Sequence, residues 1–169
     1  MDFESFTTQL ANQAGIIQSL TVGVSAQQAR WKPDPNSWSI LEVINHLLDE
    51  ERLDFRVRLN LILNHPDQPW PPINPQGWVT ERHYNERGLA QSLDDFLHER
   101  RESLAWLRGL DAPDWQASVT SPFGSLSAGD IFTAWVAHGI LHMRQLVELH
   151  YAFTLHAAQP YQVTYAGEW

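Results

Sequence analysis

Residues 39–64 read SILEVINHLLDEERLDFRVRLNLILN, and the fold of the chain turns on this run. Ser39 with Glu42 three residues on is a capping box, in which each side chain satisfies the other residue's backbone N–H. Ile44, Leu47, Leu48, Phe55, Leu59 and Ile62 then recur at helical spacing until Pro66 stops the pattern. A helix of about 24–26 residues spans roughly 40 Å at 1.5 Å per residue. That is the length of a bundle helix, not of a helix in an α/β unit.

Outward from this run the same period recurs three times. The first helix is expected near 2–22, with Phe3, Phe6, Leu10, Ile17 and Leu20 on one stripe. The third lies near 92–109, with Leu93, Leu97, Leu104 and Leu107 inward. The fourth opens on a second capping box, Ser127 with Asp130, and runs to about Tyr151. Between the second and third helices, residues 65–91 carry Pro66, Pro69, Pro71, Pro72 and Pro75. A connection of that length in a compact domain is usually functional or crosses over. Residues 110–126 read as a turn-rich link, and no pair of strands is convincing. The expectation is an all-α four-helix bundle over 1–155 followed by a tail, 156–169.

Composition narrows the function. The chain has 169 residues, enough for one ordinary domain that needs no disulfide to fold. Eleven Lys+Arg against twenty Asp+Glu give a net charge of −9, which opposes nucleic-acid binding and a polybasic membrane surface alike. Cysteine is absent, so there is no thiolate nucleophile or Cys-based metal site. The acidic start MDFESF lacks the pattern of a signal peptide, and a cytoplasmic protein is expected.

His138 and His142 lie four apart on the fourth helix, sharing a face with Ile131, Trp135 and Leu149. Two histidines stacked on a buried stripe cannot both be protonated without placing like charges together. A metal takes both as neutral ligands; two core hydrogen-bonders are the alternative, and the pair alone leaves both open. Gly139 follows His138, so this is not the zincin pattern with its adjacent glutamate. His46, in a row with Val43, Leu53 and Val57, is the strongest third ligand. His65, His83, His98, His150 and His156 read as surface or loop.

Three stretches resemble the DinB/YfiT-like superfamily. They are Trp38-Ser39-Ile40-Leu41-Glu42 leading to His46, Ala137 to Leu146 around both histidines, and Tyr84-Asn85-Glu86 followed by Ser92-Leu93 and Glu99-Arg100. The resemblance covers roughly residues 1–152 and implies up-down-down-up packing. It also implies a divalent metal, zinc or nickel, on three histidines matching His46, His138 and His142. Relatives of this kind act in thiol S-transfer with low-molecular-weight thiols or as hydrolases, and often dimerise. Where relatives often carry an acid, this chain has Gly139.

Around the triad, Glu50 is placed to orient a ligand or act as a base, although an acid in the run Asp49-Glu50-Glu51 is more often simply solvated. Gln145 shares the face of His142 and is placed to touch substrate. Trp78, Arg82 and Tyr84 in the long connection are expected to shape the mouth of a pocket. Arg144 points roughly opposite, toward a salt bridge or a subunit contact. The leading expectation is an enzyme that activates a small thiol or water for transfer or hydrolysis. Against it stand a non-catalytic metal- or ligand-binding bundle linked to stress, and a structural bundle with core histidines.

Overall fold

The computed structural model describes residues 2–167. In chain order its elements are α1 (Phe3–Thr21), α2 (Ala26–Arg30), α3 (Ile40–Leu53), α4 (Phe55–Asn64), α5 (Pro75–Glu81), α6 (Leu89–Arg108), β1 (Ser118–Ser121), β2 (Gly124–Ser127) and α7 (Ala128–Ala157). Single 3-10 turns occupy Tyr84–Glu86 and Thr164–Ala166. The four long rods are α1, α3 with α4, α6 and α7. Among the described residues, no helix is long and apolar enough to cross a membrane.

Both capping boxes form. Ser39 Oγ accepts from the Glu42 N–H at 3.1 Å while Glu42 Oε2 accepts from the Ser39 N–H at 2.8 Å, and Ser127 and Asp130 repeat the pair. They fix where α3 and α7 begin, and so fix the heights of their histidines.

Long-range contacts give each rod its direction. Asn45 meets Ser92 and Arg52 meets Glu99, so α3 and α6 run the same way. Phe3 packs on Phe132, Gln13 bonds the Val136 carbonyl and His150 bonds that of Leu20, so α1 and α7 are also parallel. His46 meets His138 while Glu51 meets Trp135, which sets α3 against α7. Two consecutive rods in the same direction oblige the chain to travel back along the bundle, which is the work of the stretch between α4 and α6.

One buried cluster ties all four rods. Glu51 Oε1 on α3 accepts from Arg100 Nε at 2.8 Å and Nη2 at 2.6 Å on α6, and from Trp135 Nε1 at 2.8 Å on α7. Arg100 Nη1 in turn donates to the Leu10 carbonyl of α1 at 2.9 Å. Apolar layers lie around it, one with Leu59, Phe132 and Trp135, the other with Ile44, Leu47, Phe96 and Leu149.

Several expectations are corrected. The second rod is not one unbroken helix over 39–64. It is interrupted at Asp54, whose backbone (φ −120°, ψ −91°) leaves the helical region while its carboxylate pairs with Arg58. The interruption is confined to that residue, since Asp54 N–H still bonds the Glu50 carbonyl and Arg58 N–H bonds that of Asp54. The acidic run is not solvated: Asp49, Glu50 and Glu51 are all buried, each with a different fate. Residues 118–127 form an antiparallel hairpin, with Gly124 at φ +101° closing the turn; strands of four serine-rich residues give too short an alternation to read. The last helix continues to Ala157, and near its end Trp31 stacks on His156 and meets Phe153 edge to face. His150 is not a surface residue; it joins α7 to Leu20 and Gln28.

Removing one partner of the Glu51–Arg100 pair strands a buried charge. Arg100→Ala should therefore lower unfolding free energy by about 3–5 kcal/mol, and the double change Glu51→Met with Arg100→Met should cost less than that single one. Urea denaturation checks both; a single variant as stable as the parent would contradict the role given to the pair.

Candidate metal centre

α3 and α7 bring three histidines to one point in the bundle. His46 Nε2 lies 3.2 Å from His138 Nε2, and His142 Nε2 lies 3.1 Å from the same atom. Two nitrogens bound at 2.0–2.1 Å to a tetrahedral ion sit about 3.3 Å apart, so the spacing suits a shared cation. A hydrogen-bonding account suits it less well. Three neutral imidazoles meeting through Nε2 cannot each both donate and accept there.

Their electrostatics point the same way. Burial first, and then the other two imidazoles, push His46 down to about 2 from the usual 6.5. Burial, His142 and Arg100 bring His138 to about 3. Burial also lowers His142, against the opposing effect of Gln145. Neutral imidazole is the form that ligates, so little proton competition remains near neutrality.

The rings are held from outside. His142 Nδ1–H donates to Gln145 Oε1 at 2.8 Å, leaving Nε2 bare toward its neighbours. Trp38 lies parallel to His142 with centroids 6.2 Å apart and tilts against His46 at 4.8 Å, while Phe55 tilts against His138 at 5.0 Å. His46 Nδ1 is buried without a partner. Glu50, one turn on, sits with Oε1 3.8 Å from that nitrogen. Burial and the adjoining Asp54 carboxyl push Glu50 up to about 9.

A pocket of about 510 Å³ opens onto the triad, walled by Trp38, Phe55, Ile73 and Pro75 with Glu50, Asp54, Asn74 and Gln76 as its polar part. On the other side of Trp38 a groove of about 440 Å³ reaches His142 past Ser37 and Gln145. No lysine or arginine lines either opening among the described residues.

The remaining expected site residues sit elsewhere. Trp78, Arg82 and Tyr84 do not line the pocket over the triad. Arg82 Nη1 and the Tyr84 hydroxyl both donate to Asp49 Oδ2, at 2.6 and 2.5 Å, and the Arg82 guanidinium lies 4.0 Å over Trp78. They fasten the long connection to α3, and the rim is made by residues 73–76 just before them. Gln145 holds His142, and Arg144 makes a surface pair with Glu148. Gly139 faces α1: a Cβ there would meet Gln13 Oε1 at 2.0 Å, so an acid at that position would point away from the triad. Trp38 was legible as the residue before the cap of α3. Ile73 to Gln76 carry no pattern of their own, because contacts of Arg58 with Trp70 and the Pro71 carbonyl set their place.

Two outcomes follow from the outer partners and the charge states. Gln145→Ala should weaken metal affinity by about tenfold, read by competition with a chromogenic chelator. In the metal-free chain, the three lowered imidazoles mean that the unfolded state takes up more protons below the usual 6.5, so stability falls as pH drops. Glu50 acts oppositely, holding a proton in the folded chain between its usual 4.5 and about 9, so stability also falls as pH rises through that window. Below 6.5 the three imidazoles outweigh the one carboxyl. Urea midpoints of metal-free protein should thus peak near pH 6.5, and a midpoint still rising between pH 6 and 4 would contradict the assignment.

Comparison with known proteins bears on the fold and the family. YfiT from Bacillus subtilis, described as a probable metal-dependent hydrolase with an unusual four-helix bundle topology, superposes with a TM-score of 0.79 at 16% identity, over 89% of this chain and 87% of that one. At that identity the likeness speaks for the fold. No curated protein matches the sequence significantly. The sequence profile described as the DinB superfamily matches residues 9–146, and the chain belongs to that superfamily.

Proposed function

We propose that the protein is a metal-dependent enzyme in which His46, His138 and His142 hold one divalent cation, zinc or nickel, for S-transfer from a small thiol or for hydrolysis. The observation that carries this reading is the convergence of three buried or half-buried, neutral imidazoles with their ligand atoms within 4.8 Å of one another. When bound, such a cation supplies Lewis-acid chemistry that makes a thiol or a water nucleophilic at neutral pH.

The chain's own residues do the rest. The imidazoles contribute no charge, so a bound dication keeps its full attraction for an anionic donor. Trp38, Phe55, Ile73 and Pro75 exclude water and offer flat apolar surface to the body of an acceptor. An opening without Lys or Arg suits an uncharged electrophile or ester better than a phosphate, which is usually held by basic groups. The two openings beside Trp38 give room for a thiol and an acceptor to approach His142 from different sides.

Untagged protein should carry about one divalent ion per chain, and His142→Ala should lose it while retaining helical content. A panel of small thiols with electrophiles, and of esters, run with and without chelator, reads the activity. Stoichiometric metal without turnover of any of them would replace the enzyme by a metal-holding bundle. Absence of metal after reconstitution would leave a structural bundle.

A further inference from the structure

The first rod of the site carries a ladder of polar side chains at four-residue intervals: His46, Glu50, Asp54 and Arg58. Its far end is anchored. The Arg58 guanidinium pairs with Asp54, lies 4.2 Å over the Trp70 ring and donates through Nη2 to the Pro71 carbonyl at 3.1 Å. The Asp54 carboxyl in turn adjoins that of Glu50 and favours its protonated form. At the near end two groups face each other unused. His46 Nδ1 and Glu50 Oε1 are both buried, both lack a hydrogen-bond partner, and lie 3.8 Å apart.

Buried polar atoms are rarely left unpaired, and here each orphan is what the other lacks. His46 presents Nε2 to the triad, and a neutral ring that ligates through that nitrogen carries its proton on Nδ1, aimed at Glu50. Bringing the 3.8 Å separation to the 2.7–3.2 Å of an N–H···O bond takes a side-chain movement of about 0.6–1.1 Å. Metal-ligating histidines commonly donate their second N–H to a carboxylate in this way. A proton-transfer base, by contrast, needs an oxygen free to meet substrate.

We propose that Glu50 is a positioning residue, whose Oε1 accepts the Nδ1–H of His46 and fixes that ring as an Nε2 ligand, with Asp54 and Arg58 as its backstop. This rests on the metal reading of the triad, and of the two roles the sequence offers Glu50 it takes the orienting one rather than that of a base. It gives the interruption at Asp54 a use, since that residue links Glu50 to Arg58 across the break.

The test compares the parent with Glu50→Gln and Glu50→Ala, using zinc alone as the probe. Glutamine keeps an oxygen acceptor, so Glu50→Gln should hold zinc within about threefold of the parent, whereas Glu50→Ala should bind about 10–100-fold more weakly. Equal affinity of the alanine variant and the parent overturns the proposal. A second readout needs no metal: ¹⁵N chemical shifts of the metal-free parent should show His46 protonated on Nδ1, with that preference lost in Glu50→Ala. Protonation on Nε2 in the parent overturns the proposal whatever the metal result. A parent that binds no zinc removes the metal reading itself, and the tautomer then still decides the contact. Circular dichroism of each variant separates loss of affinity from loss of fold.

Discussion

Glu51 makes a single oxygen serve three N–H donors of two residues on two other helices, and Arg100 carries the connection on to the fourth. Glu51 Oε2 is buried without a partner, so the buried carboxylate depends on the donors gathered at Oε1, and their geometry admits little slippage. The consequence reaches the site directly. Glu51 lies five residues beyond His46, and Trp135 lies three before His138, so the bond between Glu51 and Trp135 sets the register in which α3 and α7 pass one another. Phe55 stacks on Trp135 and also tilts against His138, carrying the same constraint from the tie to that histidine. The triad is assembled by helices whose relative height is already fixed.

That arrangement has an energetic side. Three imidazoles packed together and desolvated are favourable only as neutral groups, and even then His46 Nδ1 stays unpartnered. A bundle selected only for stability would fill this space with leucine. Local conflicts of this kind, tolerated because the rest of the core is consistent, are where function usually sits. The interruption at Asp54 fits the same description: it stands beside the pocket and breaks the helix only for one residue.

The parts of this architecture that local pattern governs were legible in the sequence. Ser39 with Glu42 and Ser127 with Asp130 announce the starts of two helices, because a capping box is closed within four residues. The i,i+4 spacing of His138 and His142 and the stripe around His46 pointed to the three histidines that meet, because helical periodicity determines which side chains share a face. The acids did not yield to such reasoning. Asp49, Glu50 and Glu51 look like a solvated run, yet Asp49 is held by Arg82 and Tyr84 and Glu51 by Arg100, all more than thirty residues away. Periodicity marks charge as exterior unless the counter-charge is also in view. The rim residues 73–76 were equally silent, since their position depends on Arg58 and Trp70 rather than on any local preference.

The central claim is that one ion is shared by side chains from two helices, and X-ray absorption at the metal edge of zinc-loaded protein addresses it most directly. The account predicts a first shell containing three imidazole nitrogens at about 2.0–2.1 Å, with the multiple-scattering pattern that histidine rings produce. A shell of oxygens alone, or one with a single imidazole, would mean that the ion binds elsewhere and that the three histidines are a core cluster.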